Sequence, residues 1–463
     1  MATTGASAHP APSHTGRVGP VTRRMPPSAP SGFAGRRAER ALQQRGVRDE
    51  EDGYRCQAGR GSLHQDSLPA LRHHEITDRG PGTPAPDPQG ESMLLRRAHN
   101  LVCYWRDGSF VIQNYLGGTP VSLAPMAADV LAAFTEWTTE DDALKEFPEY
   151  DPDSCRAAVR ELHTYGFLVS EGESERDALL AEHWETWSPE ATALHFSSKD
   201  ADYTESPEVN DDFRAGKRPA LFKNYPTADR ILLPRVPLDP DADFVRTLYR
   251  RRTHRSFTQV DLPLPLLSGL LAMVFGPSEF LDGQDFGALM KRTSAAGGAR
   301  HELEAYVGIF TVDGVTPGLY HYNCLEHSLE MLDAAFTREQ AAHLCFDQSG
   351  VGDAALVVFV TAVVERMSSK YRAPRAYRVM LLNAGHLGQT FALTATALGL
   401  GPFQTAAFRD SEVEDALGVD GIRETALYVL AAGMPDDRSD AGYTAGLDAF
   451  RQAVLHPPHD QQG

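Results

Sequence analysis

Apolar residues between 99 and 170 first alternate and then recur at helical spacing. Leu101-Val102-Cys103-Tyr104-Trp105 and Phe110-Val111-Ile112 flank Asp107-Gly108, a dipeptide suited to a tight hairpin turn. Val130, Phe134 and Trp137 follow at the spacing of one helix face. Asp151 is placed to cap a helix with Pro152 in its first position, and Val159, Leu162 and Tyr165 share a face. Gly166 then ends that unit before the strand-like Phe167-Leu168-Val169. Strands and helices in this succession predict a winged-helix-like module over residues 93–175. Residues 176–240 predict a connecting segment, with a polar loop around 200–215. Extended backbone is expected at 232–238, because Pro234 and Pro237 disfavour helix at the residues before them. From 241 to 440 the pattern changes again. Helices are expected over 243–250 and 264–275, and a long one carries Leu382, Leu387, Phe391 and Leu398. Buried strands are expected over 306–312, 355–360 and 426–433. Helices among a few strands predict an α+β domain large enough for a substantial core.

Residues 1–92 break this order. They are rich in Pro, Gly, Ser, Arg and His, lack Lys, and show no sustained apolar period. Such a stretch cannot bury enough apolar surface to offset its chain entropy. It reads as a disordered N-terminal tail, or as sequence ahead of a true start at Met93, where patterning begins. Residues 441–463 are expected to be a C-terminal tail. A net charge of −19 speaks against nucleic-acid binding, which needs a basic face. With no signal-peptide pattern and no long apolar run, the expectation is a cytoplasmic protein that does not bind membranes. The five cysteines are scattered and never form C-x-x-C, the pattern of reduced, mostly buried thiols. No histidine set has metal-ligand spacing, so no metal site is expected.

Against this acidic background, Arg251-Arg252-Thr253-His254-Arg255-Ser256-Phe257 is a short basic run. Its guanidinium and hydroxyl groups suit a phosphate, since Arg binds phosphate oxygens through paired N–H bonds; a solvated surface patch is the other reading. Three further segments follow in order. They are Lys291-Arg292-Thr293-Ser294-Ala295-Ala296-Gly297-Gly298-Ala299, then Pro317-Gly318-Leu319-Tyr320-His321-Tyr322, then Asn383-Ala384-Gly385-His386-Leu387-Gly388-Gln389. Together, over roughly 240–435, the four resemble the FMN-dependent nitroreductase superfamily, specifically its SagB-type (McbC-like) azoline dehydrogenases.

The resemblance implies an FMN-binding nitroreductase-like fold and a set of roles. Arg251, Arg252, Thr253 and Arg255 would hold the FMN phosphate, with His254 pointing away. Ser294, Gly297 and Gly298 would form the loop that approaches the flavin ring. Ala406 and Ala407 match the loop facing flavin N5, where the family commonly has glycine. The basic phosphate ligand that simple nitroreductases often carry after the last strand has no counterpart before Arg438. The azole-forming branch has a Lys-Tyr pair, matched here by Lys370 and Tyr371. Aromatising an azoline removes a hydride and a proton, so a base is needed, and the ordinary pKa values of Tyr and Lys are too high for one. A neighbouring ammonium favours phenolate and desolvation favours neutral amine, so Tyr371 is expected as base with Lys370 as its electrostatic partner, or the reverse. The plain alternative is an exposed Lys beside a packing Tyr. His386 and Asn383, on the long helix, are left outside the expected site.

The function implied is oxidation of thiazoline or oxazoline rings to thiazoles or oxazoles in a ribosomally synthesised peptide. The implied partners are a precursor peptide, an upstream cyclodehydratase and a second copy in a homodimer; the module at 93–175, similar to winged-helix leader-recognition modules, would hold the leader as an added strand, or else only pack on its neighbour. The alternatives are a nicotinamide-dependent small-molecule nitro- or ene-reductase, and a non-catalytic scaffold of a peptide-modifying complex.

Overall fold

The computed structural model describes residues 93–201, 207–235 and 242–436. The expected tails at 1–92 and 441–463, the Val236-Pro237-Leu238 stretch and Arg438 lie outside the described residues.

Four strands open the described chain: β1 (Leu94–Arg97), β2 (Leu101–Arg106), β3 (Ser109–Asn114) and β4 (Val121–Leu123). Asp107 and Gly108 both take left-handed φ, 50° and 78°, so β2 and β3 join through the turn type that fits their twist. Next come α1 (Ala127–Ala132), β5 (Thr138–Thr139), α2 (Glu140–Ala143), α3 (Pro152–Thr164) and β6 (Leu168–Ser170). Asp151 accepts from the Ser154 N–H at 2.9 Å and Pro152 opens α3, which buries Val159 and Leu162. Strand β1 pairs with β5 and β6, while β2, β3 and β4 form a separate three-stranded sheet. Helix α1 is shorter than the spacing of Val130, Phe134 and Trp137 suggested; Phe134 is fully buried beyond its end.

The connecting segment holds α4 (Glu175–Trp184), α5 (Pro189–Ser197), α6 (Pro207–Arg214) and β7 (Arg230–Leu232). Helix α6 corrects the loop expected at 200–215. Val209 and Phe213, four apart in an otherwise polar stretch, are both buried and carry the helix. Two residues suffice for a short amphipathic face, too few to stand out in the sequence.

After α7 (Phe244–Arg250) and α8 (Leu264–Phe275) comes a hairpin of β8 (Glu279–Asp282) and β9 (Ala288–Lys291). The main sheet then builds from β10 (Leu303–Ile309), β11 (Gly318–Asn323) and β12 (Ser328–Asp333), with α9 (Arg338–Leu344) and α10 (Ser349–Gly352) following. It continues through β13 (Leu356–Val363), α11 (Val364–Ser368), α12 (Arg375–Ala397), β14 (Gly401–Thr405), α13 (Asp410–Leu417) and β15 (Glu424–Gly433). The sheet is antiparallel throughout, in the order β14-β15-β13-β10-β11-β12-β7. Three of its strands were anticipated. Strands β7, β11, β12 and β14 were not, because β11 and β12 carry His321, Asn323 and Glu330 where apolar residues would have announced a strand.

Both faces are covered. Leu303, Ala305, Val307 and Ile309 of β10 face one way and pack with Leu267, Leu271, Leu387 and Phe391 of α8 and α12. Alternate residues face the other way, where Tyr306 and Phe359 join Leu344, Val413 and Leu417 from α9 and α13. On the rest of that second face residues 220–225 take the place of helices, and the sheet beneath them is polar. His321 Nε2 lies 3.1 Å from Glu304, its Nδ1 lies 2.9 Å from Glu330, and Arg366 pairs with Glu304 at 2.6 Å. Lys223 pairs with Glu424, which also accepts from Tyr306 and Thr361. Arg366 donates to Ala220 O, and Glu330 accepts from the Tyr225 N–H, so the covering segment is fastened through these charges. Burial pushes the Glu304 carboxyl up, but the His321 bond and the Arg366 guanidinium outweigh it and hold it at about 2. Burial disfavours charge on His321, yet Glu304 and Glu330 raise its pKa overall.

Candidate functional site

Helix α12 is the spine of the site. Its 23 residues span roughly 34 Å at 1.5 Å each. In its N-terminal half Asn383 Oδ1 accepts from the Gly297 N–H at 2.9 Å, and Val379 stands where a side chain on Gly297 would fall. One turn on, His386 Nδ1 lies 3.2 Å from Ala295 O. The loop of residues 294–298 is thus laid along α12. Farther on, Gln404 of β14 donates to Gly388 O, which carries the approach to Ala406 and Ala407. Beyond the C-terminal end Gly401 leaves room for the His254 ring, so the basic run docks there.

The basic run begins where α7 stops. Arg251 closes that helix through its N–H to Thr247 O, and the His254 N–H donates to Pro402 O at 2.9 Å. His254 and Phe257 are buried; Arg251 and Arg252 are half-buried; Thr253 and Arg255 are exposed. The inward turn of His254 and Phe257 directs the alternate residues outward. Three guanidinium groups and a hydroxyl, with no acidic residue in the run, are a donor set that fits a phosphate monoester.

The 294–298 loop divides its roles. Ser294 is buried and lines a cavity of about 10 Å³ together with Arg292, His301, Glu302 and Asn383. Gly297 is half-buried and Gly298 exposed, the latter with φ of 66°. Asn383, left out of the expected site, is the residue that holds this turn: it also donates to Glu302 Oε1 at 2.8 Å. Burial raises the Glu302 pKa against the opposing Asn383 bond, and burial with three neighbouring arginines lowers His301 to about 4. In the sequence Asn383 opens the fourth segment of the resemblance, but nothing local there shows that its amide would reach the 294–298 loop.

Lys370 and Tyr371 lie in the turn between α11 and α12, both half-buried. The Tyr371 hydroxyl occupies the space that a side chain on Gly298 would need. Lys370 Nζ sits 4.3 Å from the Phe286 ring centre and 5.3 Å from that of Tyr371. The chain therefore brings Gly297, Gly298, Lys370 and Tyr371 together. Arg251, Arg252, Thr253 and Arg255 gather at the far end of α12. Ala407 uses its N–H on Thr405 Oγ1 at 3.0 Å and its carbonyl on Gln348, and both Ala406 and Ala407 are exposed. Among the described residues no cluster of three or more potential ligands could hold a metal, and no helix is long and apolar enough to cross a membrane.

This α+β arrangement corresponds to a known family: residues 248–434 match the nitroreductase family. The segment is a nitroreductase-family domain. The chain is 25% identical over 332 residues to the trifolitoxin-processing protein TfxB of Rhizobium leguminosarum bv. trifolii, covering 67% of this chain and 88% of that protein. Only 29 residues follow 434, so that likeness also takes in residues ahead of the nitroreductase-family domain. The chain is 29% identical over 197 residues, 42% of its length, to a protein of Methanocaldococcus jannaschii named as a nitroreductase, covering 93% of it. A solved structure from Anabaena variabilis, also named as a nitroreductase, is 26% identical with a TM-score of 0.40, covering 52% of this chain and 45% of that one.

Proposed function

We propose that this chain is an FMN-dependent oxidoreductase that converts thiazoline or oxazoline rings of a ribosomally made precursor peptide to thiazoles or oxazoles. The observation that carries the reading is the meeting of Lys370 and Tyr371 with the Gly297-Gly298 turn inside a nitroreductase-family domain. The likeness to a trifolitoxin-processing protein, which extends ahead of that domain, favours a peptide substrate over a small molecule.

FMN supplies a two-electron acceptor when bound. The chain's own groups do the rest. Arg251, Arg252, Thr253 and Arg255 would hold the phosphate, and Gly297, Gly298, Ala406, Ala407 and the Ser294 backbone would border the ring. Tyr371 takes the proton that the azoline loses, at its phenol oxygen, and Lys370 favours the phenolate that can accept it. The module at 93–175 would hold the leader of the peptide, raising the local concentration of its core. A cyclodehydratase would supply the azoline. Exposed Phe244 and Tyr249 on α7, with Tyr377, Leu381 and Leu382 on the adjacent α12, give an apolar face that a second copy would cover in a homodimer.

The test is a mass spectrum of an azoline-bearing precursor peptide after incubation with the protein and FMN. Each oxidised ring loses about 2 Da, the mass of the hydride and proton removed. The expected result is that loss without added nicotinamide, and little of it with Tyr371→Phe. An unchanged peptide, with FMN bound and reduced by NADPH, would replace this reading with a small-molecule reductase; no bound FMN would replace it with a scaffold.

A further inference from the structure

The sequence places two cations beside Tyr371, Lys370 and Arg372, and Arg372 is taken up by Glu208 and Asp212. The structure brings a third. Arg300 is about nine-tenths buried, and its Nε donates to the carbonyl of Gly298 at 2.9 Å. Gly298 is also the residue whose side-chain space the Tyr371 hydroxyl fills, so guanidinium and phenol converge on one peptide unit. The two interact electrostatically: burial lowers the Arg300 pKa, and Tyr371 opposes that only in part.

How Arg300 comes to point inward follows from the backbone. Gly298, Ala299 and His301 all have left-handed φ, 66°, 51° and 47°. Two of these carry side chains, a conformation that persists only where surrounding contacts impose it. The irregular run precedes β10 directly and turns residue 300 under the Gly298 peptide. Arg300 and Lys370 also share a support. The guanidinium carbon is 5.9 Å from the Phe286 ring centre and the ammonium 4.3 Å, and Phe286 itself rests 5.0 Å from buried Phe213. That ring holds two cations beside one phenol, partly shielded from water, where their field is stronger than in solvent.

We propose that Arg300 is a positioning residue for Tyr371, acting with Lys370 as a permanent and a titratable cation that together keep the phenol oxygen in place as proton acceptor. This rests on the reading of Tyr371 as the base. The division follows from chemistry: a guanidinium keeps its charge at every working pH, whereas an ammonium can lose its proton. Arg300 would hold the phenol during each turnover whatever the state of Lys370.

The test uses the full chain with 3-fluorotyrosine at position 371, followed by fluorine NMR without peptide. In the otherwise unaltered protein, a through-space cross-peak from the labelled ring to the Arg300 side-chain protons is expected; its absence would overturn the proposal without any variant. Arg300→Gln is expected to split or broaden the single fluorine resonance of that ring as the phenol loses its fixed position, and Arg300→Lys to restore most of its sharpness. An unchanged resonance in a folded Arg300→Gln would sink the proposal. Because neither readout needs turnover, a peptide that is never oxidised tells against the azoline reading alone. If oxidation does occur, kcat should fall in Arg300→Gln with little change in KM.

Discussion

Two regions of this molecule bring cations, aromatic rings and buried polar groups together, and they dispose of them differently. Beneath residues 220–225, each charge meets an opposite one: His321 lies between Glu304 and Glu330, Arg366 on Glu304, and Lys223 on Glu424. Around Gly298, Arg300 rests on a carbonyl and Lys370 and Arg300 on the Phe286 face. The first arrangement is costly to desolvate and worse to break, so it fastens a covering segment in one register. The second gathers two cations about one aromatic ring, beside a phenol. Charge paired beneath a covering segment fastens it; charge gathered at a ring is, under the proposed function, what serves the substrate.

The comparison breaks most readily at Arg366. Arg366→Met leaves Glu304 without its guanidinium in a buried site and frees Ala220, and should cost about 3–5 kcal/mol in urea unfolding. A loss below about 1 kcal/mol would mean the network is not what fastens residues 220–225. The next effect is in pH. The Glu304 carboxyl is held at about 2 against an ordinary value of 4.5, so its contribution is complete above 4.5 and lost as pH falls toward 2. Glu304→Gln should remove about 3 kcal/mol of that acid dependence. His321, raised, works the other way: its contribution is complete below 6.5 and fades as pH rises through its folded value. His301, lowered to about 4, adds to the acid loss, because protonating it below 6.5 is unfavourable in the folded chain. The smallest effect on stability should come from the second region. Lys370→Met should change unfolding by about 0.5 kcal/mol or less, while peptide oxidation falls by roughly 10²–10⁴-fold. A Lys370→Met protein that unfolds easily would move Lys370 into the structural class.

The fold is legible in the sequence where one residue type has one physical consequence. Asp107-Gly108 gave a turn, Asp151-Pro152 a helix start, and the apolar runs at 264–275 and 426–433 gave α8 and β15. It is not legible where residues serve a face rather than a run. Strands β11 and β12 are hidden because His321, Asn323 and Glu330 of the buried network interrupt their apolar pattern, and α6 because two apolar side chains among charges are a weak period. The same division holds at the site. The arginine run, the glycine pair and Lys370-Tyr371 are visible as motifs; Asn383 is visible in one too, but its role is not, and Arg300 is in none, since each matters through a backbone atom whose position the fold sets.

By itself, then, the sequence determined the α+β class, the family resemblance and the residue types available for phosphate binding and proton transfer, because these follow from local pattern and side-chain chemistry. Only the tertiary structure decided which of them meet. The pairing of Tyr371 with Gly298 joins positions 73 residues apart, and that of Asn383 with Gly297 joins positions 86 apart. Contacts of that range are set by how α12 packs on the sheet and what space a missing side chain leaves, and no local pattern records either.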